Sequence, residues 1–559
     1  MGTPASAFSA ALEAFFAWYY RANPVNATFI GVHEHDHRLP DFSERGVADT
    51  VSGLDALRTR FHGLPPEPLT KAEALDRTLV EGFLDIQQWE ITSTHSYRHN
   101  PCVYTGEAVF GVIALFLRPF APLATRVDAA VERMMAIPAF LAQGKETIGT
   151  APRAWIERAS RDCNGALAFF EDGAEILIRD DGVRNPRFRA AAGVAANAFR
   201  EFRAYLKDDL PARATDAYAC GDAALDLYIR RGHFIDMPAG EISAWAEERM
   251  AAAETHLQGS ASQLGAASWR EALAGLADRH PAPERYYTRY DEIWQAARAA
   301  AKTHRLVTWP EYPIRYVPQP AWARGAAPSL YFLFYRAPAA FDRVPIVDYL
   351  VTPIEPGMPP EEQRRRLRAT NDSVIKLNHV VHHGGLGHHV QNWNAYHRAE
   401  SRIGRMAAVD CATRIAMFCG GTMAEGWACY ATDLMDEVGF LEPLERLSQA
   451  HTRLRMATRA LVDVRLHQGA WTLDQAAAYY RERVGMSADT AHSEAVKNSL
   501  FPATALMYLT GTEQIHRLRR DLTASTPGFD LRRFHDTFLS HGSVPVSLVA
   551  KAMQAKDPL

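Results

Sequence analysis

The chain has little that would tie it to a membrane, a nucleic acid or an oxidising compartment. Nowhere in its 559 residues is there a run of the ~18 apolar residues that a spanning helix needs. Its formal charge is −4, and no block of Lys or Arg marks a face for nucleic acid or anionic lipid. The six cysteines are Cys102, Cys163, Cys220, Cys411, Cys419 and Cys429. None stands at CxxC spacing, so neither a thioredoxin-type motif nor a cysteine zinc site is signalled. So few in so long a chain make no disulfide scaffold, and they read as reduced core residues of a cytoplasmic protein. The opening MGTPASAFSAALEAFFAWYYRANP lacks the basic region and the clean apolar stretch of a secretory signal. Internal repeats and low-complexity segments are also missing, which argues against solenoids and tails.

What is present is helical texture. Hydrophobic residues at 47% and charged residues at 23% suffice for a large buried core. Apolar residues recur at i, i+3, i+4 and i+7 in ALEAFFAWYYRA, over 124–148, over 189–210 and over 240–264. RYYTRYDEIWQAARAAAKTH continues the pattern after Gly and Pro breaks. The texture changes in LVTWPEYPIRYVPQPAW (306–322) and APSLYFLFYRAP (327–338), where aromatic and β-branched residues with prolines point to a few strands. The expected architecture is a mainly α body with a small β-sheet just before a histidine-rich helix. A soft boundary near residue 240 suggests two lobes, 1–239 and 240–559, though one continuous domain fits the pattern too.

The chemistry concentrates in VVHHGGLGHHVQNW. His379, His382, His383, His388 and His389 fall within eleven residues, flanked by apolar side chains. A single histidine there would be an ordinary helix-end or core residue, but five together point to a metal, since neutral imidazole is a common ligand. His379 and His383 are four apart, on one helical face. His382 and His388 are six apart and converge only if the backbone leaves α geometry, which Gly384, Gly385 and Gly387 permit. Spacing alone leaves both pairs open. A third ligand should come from elsewhere, and Glu425 in GGTMAEGWACYATDLMDEVG is the best candidate, with Trp427, Tyr430 and Leu434 to anchor its helix. The plainer reading of Glu425 is a favourable first-turn carboxylate. HEHDH (33–37) also groups histidines, but it runs into LPDFS and reads as a polar loop.

These stretches resemble a family catalogued as domain of unknown function 885. Its members carry His-Glu-x-x-Pro-Gly-His-His-x-Gln followed by Glu-Gly-Trp-Ala-x-Tyr. Here the first motif stands as His382-His383-Gly384-Gly385-Leu386-Gly387-His388-His389-Val390-Gln391, and the second as Glu425-Gly426-Trp427-Ala428-Cys429-Tyr430. The likeness extends to NPVNATFIGVHEHDHRLPDFS, to RALVDVRLHQGAWT through Arg459, Asp463, His467 and Trp471, and to FPATALMYLTG through Pro502, Ala505, Tyr508 and Gly511. The resemblance implies a largely helical, cleft-containing metallopeptidase-like protein. It implies His382, His388 and Glu425 as ligands of one divalent ion, zinc first, with iron, manganese or copper as alternatives. It makes His467 and Tyr508 candidates to donate to developing charge, with Asp463 orienting His467. His379, His389, Trp427 and Lys497 become candidates to support the site or meet substrate.

The departures fall at the centre of the chemistry. The family's glutamate, which takes a proton from activated water, is His383 here. The motif's proline is Leu386, and the last motif's Gly-Gln is Ala503-Thr504. Three outcomes follow: His383 is itself the base of a hydrolase acting on amide or peptide-like bonds of a small molecule or short peptide; it is a further ligand of a repurposed lyase, decarboxylase or oxygen-using enzyme; or the protein binds metal or peptide without turnover. The first, with neither nucleic acid nor membrane as partner and with an oligomer allowed, is the working expectation.

Overall fold

The computed structural model describes residues 6–64, 68–93, 95–330, 339–342, 344–406 and 420–554. They form a mainly α protein. The periodic segments fold as helices Leu123–Thr147, Phe188–Asp208, Ala239–Gln263 and Tyr286–Thr303, within two residues of the bounds their sequence suggests. Phe188–Asp208 shows why: Ala191, Ala195, Phe199, Phe202 and Leu206 form one buried stripe. Helix starts carry their own signals, such as the reciprocal Thr70/Glu73 and Thr472/Gln475 capping boxes. The largest core cluster runs from Phe8 to Met553 and so draws on both sides of residue 240. A second cluster seals Ala239–Gln263 against the long helix Pro443–His467. Among the described residues no helix is long and apolar enough to cross a membrane. Cys102, Cys163, Cys220 and Cys429 form no disulfide, and Cys411 and Cys419 lie outside the described residues.

The small sheet has two strands, Ile314–Pro318 and Val347–Val351, paired in parallel with Tyr316 opposite Tyr349. The first lies within the expected 306–322. The second was not legible as a strand, and of the stretch 327–338 residues 331–338 lie outside the described residues. A two-residue parallel bridge between Ala151–Pro152 and Ala214–Thr215 was likewise unmarked. The segment 33–37 is a turn, as expected. His33 lies 2.8 Å from both Asp36 and Asp342 and stacks on Phe120 at 3.8 Å, fastening this turn to the segment just before the second strand.

One helix dominates the C-terminal half. Gly421–Glu437 is buried from Gly421 through Met435, an all-round burial that its small residues allow. Its tightest crossing is with Met507–Ser525: a Cβ on Gly426 would stand 2.6 Å from Gly511 Cα, and one on Gly511 would collide with the Thr422 carbonyl. Two of the family-like motifs, Glu-Gly-Trp and Tyr-x-x-Gly, are thus the two sides of one close backbone contact.

Candidate metal centre

The histidine segment does depart from α geometry. Val374–Gly384, carrying His379, His382 and His383, winds as a π-helix, whose i→i+5 turns are rare and gather at functional sites. The chain then folds back through Gly385–Gly387 and restarts as the α-helix His388–Arg398. The reversal is held by the Gly387 amide donating to the Val381 carbonyl (2.9 Å) and by Trp294 Nε1 donating to the Gly384 carbonyl (2.8 Å). It is possible only without side chains. A Cβ on Gly384 would collide with the Tyr316 hydroxyl, and one on Gly387 with the His382 carbonyl oxygen. On the far side, Trp427 Nε1 donates to the Leu386 carbonyl (2.9 Å), locking the Glu425 helix to the loop.

The reversal brings His382 and His388 onto one carboxylate. Their Nε2 atoms lie 3.3 and 3.6 Å from Glu425 Oε2. Glu425 is the fifth residue of its helix and is 4% exposed, so the first-turn reading does not hold. Its Oε2 is sealed from solvent and, among the described residues, has no partner besides these two imidazoles. Three donors bound to one zinc at ~2.0–2.2 Å in a tetrahedron stand roughly 3.4 Å from one another, so both measured separations fit a shared ion. Burial works to raise the Glu425 pKa, but the His388 and His382 imidazoles outweigh it and hold the carboxyl well below the usual range. Burial lowers His382, outweighing the pull of Glu425 in the other direction. Both groups are thus in the proton-free state that a cation requires.

His383 also reaches this group: a ring nitrogen lies within 4.8 Å of those of His382 and His388. Its Nδ1 is 3.4 Å from the Tyr349 hydroxyl. Burial, reinforced by His382, His388 and His379, pushes its pKa well down, so it stands neutral. His379 stacks on Tyr290 and its Nδ1 is 3.0 Å from that hydroxyl, with burial lowering its pKa to about 4. The sheet is what sets these rings, since the paired Tyr316 and Tyr349 face the histidine helix. Sequence reasoning missed Tyr290, Tyr316 and Tyr349. The only available signal was an aromatic-rich stretch ahead of the cluster. It also missed Cys429, whose sulfur lies 4.0 Å from His382 Nδ1, one helical turn beyond Glu425.

The remaining candidates disperse. His389 is fully buried, stacks on Tyr312 and contacts its carbonyl at 2.9 Å. Asp463 accepts from the amides of Ala503 (3.1 Å) and Leu506 (2.9 Å), and His467 Nε2 lies 3.0 Å from the Asn498 carbonyl. Both are fully buried and fasten the 498–506 turn to helix Pro443–His467, so the His467 nitrogen expected at the reaction serves a backbone carbonyl instead. Burial raises Asp463 to about 7 and lowers His467 to about 4. Ala503 in that turn has φ +56°, the left-handed region where the family pattern has glycine. Tyr508 and Lys497 line a small cavity with Arg459 and Glu494. A larger cavity of about 220 Å³ lies between N- and C-terminal segments, bordered by Phe83, His95, Asp162, Gly421 and Phe501. It reaches the first residue of the Glu425 helix, and it shares Phe501 and Thr504 with the small one.

The profile of a family described as "Bacterial protein of unknown function (DUF885)" matches residues 24–553. The chain belongs to the DUF885 family. No curated protein matches it. Among solved structures, this DUF885 member is similar to a candidate lipoprotein of unknown function from Shewanella oneidensis, at 22% identity and TM-score 0.78, over 98% of this chain and 100% of that one. A candidate lipoprotein from Colwellia psychrerythraea is similar at 16% identity and TM-score 0.72, over 98% of both chains. At such identities the likeness is one of fold.

Proposed function

We propose that this DUF885 protein is a metal-dependent hydrolase of amide or peptide-like bonds in a small substrate. His382, His388 and Glu425 would hold the ion, most simply zinc. The reading rests on one observation, the approach of two imidazole nitrogens to a single buried, otherwise unbonded carboxylate oxygen at 3.3 and 3.6 Å. A divalent cation there supplies Lewis acidity and acidifies water. The chain supplies the rest. His383, neutral and within 4.8 Å of the two ligand imidazoles, accepts the proton and returns it to the leaving amine. Tyr349 steadies its ring from the Nδ1 side.

The same closeness supports a second reading, in which His383 is a fourth ligand. A three-histidine, one-carboxylate set suits iron, manganese or copper and a non-hydrolytic reaction. The test is elemental analysis of the purified protein, followed by a panel of dipeptides, acyl amino acids and small amides for wild type and His383→Glu. Zinc with turnover that His383→Glu keeps or raises supports the hydrolase. A redox metal lost in His383→Glu, with no cleavage by either protein, supports the second reading. A protein that takes up no divalent metal refutes both.

A further inference from the structure

The larger cavity, about 220 Å³ between the N- and C-terminal segments, is not used by the chemistry proposed above. An engineered protein cavity of about 150 Å³ takes up benzene. This one is somewhat larger, which is room for one aromatic ring with a short chain. Its walls are made for a ring. Trp89 meets Tyr228 edge to face at 5.7 Å, Phe42 stacks on Tyr97 at 5.2 Å, and both pairs line the cavity together with Trp18 and Phe83.

The charged part of the lining leans to one sign. Among the described lining residues the carboxylates of Asp41, Glu90, Glu107 and Asp162 stand against one guanidinium, that of Arg158. Arg158 is engaged by Asp162, its Nε 3.2 Å from that carboxylate. Glu90 accepts from two neutral donors, the Tyr228 hydroxyl at 2.6 Å and the Gln87 amide at 2.5 Å. Those bonds fix the carboxylate beside the Trp89–Tyr228 pair without cancelling its charge. The bordering histidines add no cation, since burial lowers His95 to about 3 and His233 to about 4. His95 Nε2 has no hydrogen-bond partner among the described residues, and a buried polar atom left so calls for an explanation such as an absent water or ligand.

We infer that this cavity is a binding site for a small aromatic amine, one ring with a short chain ending in an ammonium group, the ring lying among Trp89, Tyr228, Phe42 and Tyr97 and the ammonium at Glu90. Aromatic faces attract a cation as well as an apolar body, and a carboxylate beside them adds a charge-assisted hydrogen bond. The same lining rejects an anion of equal size, because like charges meet in a poorly solvated space. The site goes beyond the hydrolase reading and does not depend on it.

Calorimetric titration of the full-length protein at about pH 7, where an alkylamine is ionised, compares three probes of one size. They are 2-phenylethylamine, the neutral 2-phenylethanol and the anionic 3-phenylpropionate. The amine should bind at least about tenfold more tightly than the alcohol, the scale of one cation–π or charge-assisted contact, and the carboxylate most weakly. Glu90→Gln keeps the shape of a half-buried side chain and should remove most of the amine's advantage while leaving the alcohol unchanged. Val103→Trp fills the cavity from helix Pro101–Leu117 and should block both amine and alcohol. Should Val103→Trp fail to fold, Glu90→Gln decides alone. Binding of none of the probes at millimolar concentration overturns the site. So does an alcohol or carboxylate bound as tightly as the amine, a preference that survives Glu90→Gln, or amine binding that a folded Val103→Trp leaves intact.

Discussion

Replacing Gly387 with alanine tests whether the glycine reversal builds the metal centre. The new Cβ would collide with the His382 carbonyl oxygen and lie 2.7 Å from the His382 carbonyl carbon and 2.9 Å from the Val381 oxygen. All three are backbone atoms, so no side chain can turn aside. A carbon–oxygen contact settles at about 3.3–3.6 Å, so the loop must open by about 1 Å. That movement strains the Gly387–Val381 hydrogen bond and separates His388 from His382. Metal–donor distances tolerate only about 0.2 Å, so the ion would lose one ligand or bind a distorted set. Zinc affinity, measured by competition with a chromophoric chelator, should fall at least about tenfold, or 1.4 kcal/mol. Overpacking should cost the fold about 1–3 kcal/mol, seen as a lower melting temperature. Gly193→Ala is the matched control, since a Cβ there meets nothing within 4 Å on a regular helix and should stabilise by up to about 1 kcal/mol. If Gly387→Ala binds zinc and melts like wild type, the reversal does not set the ligand geometry and the reasoning fails.

Other substitutions probe the supports. Glu425→Gln keeps the shape but loses the charge, and zinc affinity should drop by more than the roughly 10–100-fold typical of residues that only orient ligands, read by the same competition. Gly426→Ala drives a methyl into Gly511 at 2.6 Å, and should cost about 1–3 kcal/mol in a chemical-denaturation series and weaken zinc binding by displacing its neighbour Glu425. His33 gives a pH signature. Burial alone would lower its pKa, but Asp342 and Asp36 outweigh that and raise it to about 9, against ~6.5 unfolded. A raised histidine stabilises fully below the unfolded value and ceases to as pH passes the folded one. Wild type should therefore lose melting temperature between about pH 6.5 and 9, and His33→Asn should lose less across that window. Equal slopes would remove His33 from the account.

The sequence made the helices legible because they carry apolar stripes, as in Phe188–Asp208, and some carry their own caps, as at Thr70 and Thr472. It made the histidine–glutamate group legible only in part. Spacing left His379/His383 and His382/His388 both open, because a choice between them depends on a π-helix and a chain reversal that no local pattern encodes. The glycines permitted the reversal, but its cause is tertiary: Tyr316 and Trp294 from the sheet side and Trp427 from the other side grip it. Val347–Val351 stayed invisible as a strand because its partner lies some thirty residues earlier in a parallel pairing, which has no hairpin turn to announce it. His467 looked chemical because a histidine four residues after an aspartate invites that reading. Its Nε2 meets the Asn498 carbonyl at 3.0 Å, a partner that no local pattern announces.

These contacts separate the residues that build the frame of the site from the one that projects into it. Gly387, Trp427, Gly426 and Gly511 are all residues of close approach. Through them the histidine reversal, the Glu425 helix and Met507–Ser525 meet in close backbone contact, and the side chains of His382, His388 and Glu425 converge as a consequence. His383 belongs to none of those contacts. It projects toward His382 and His388 from the π-helix, with its Nδ1 3.4 Å from the Tyr349 hydroxyl. A change there leaves the frame standing and alters only which group meets the proton or the ion. His383→Glu is therefore the substitution that separates a change in the proposed chemistry from a change in the fold.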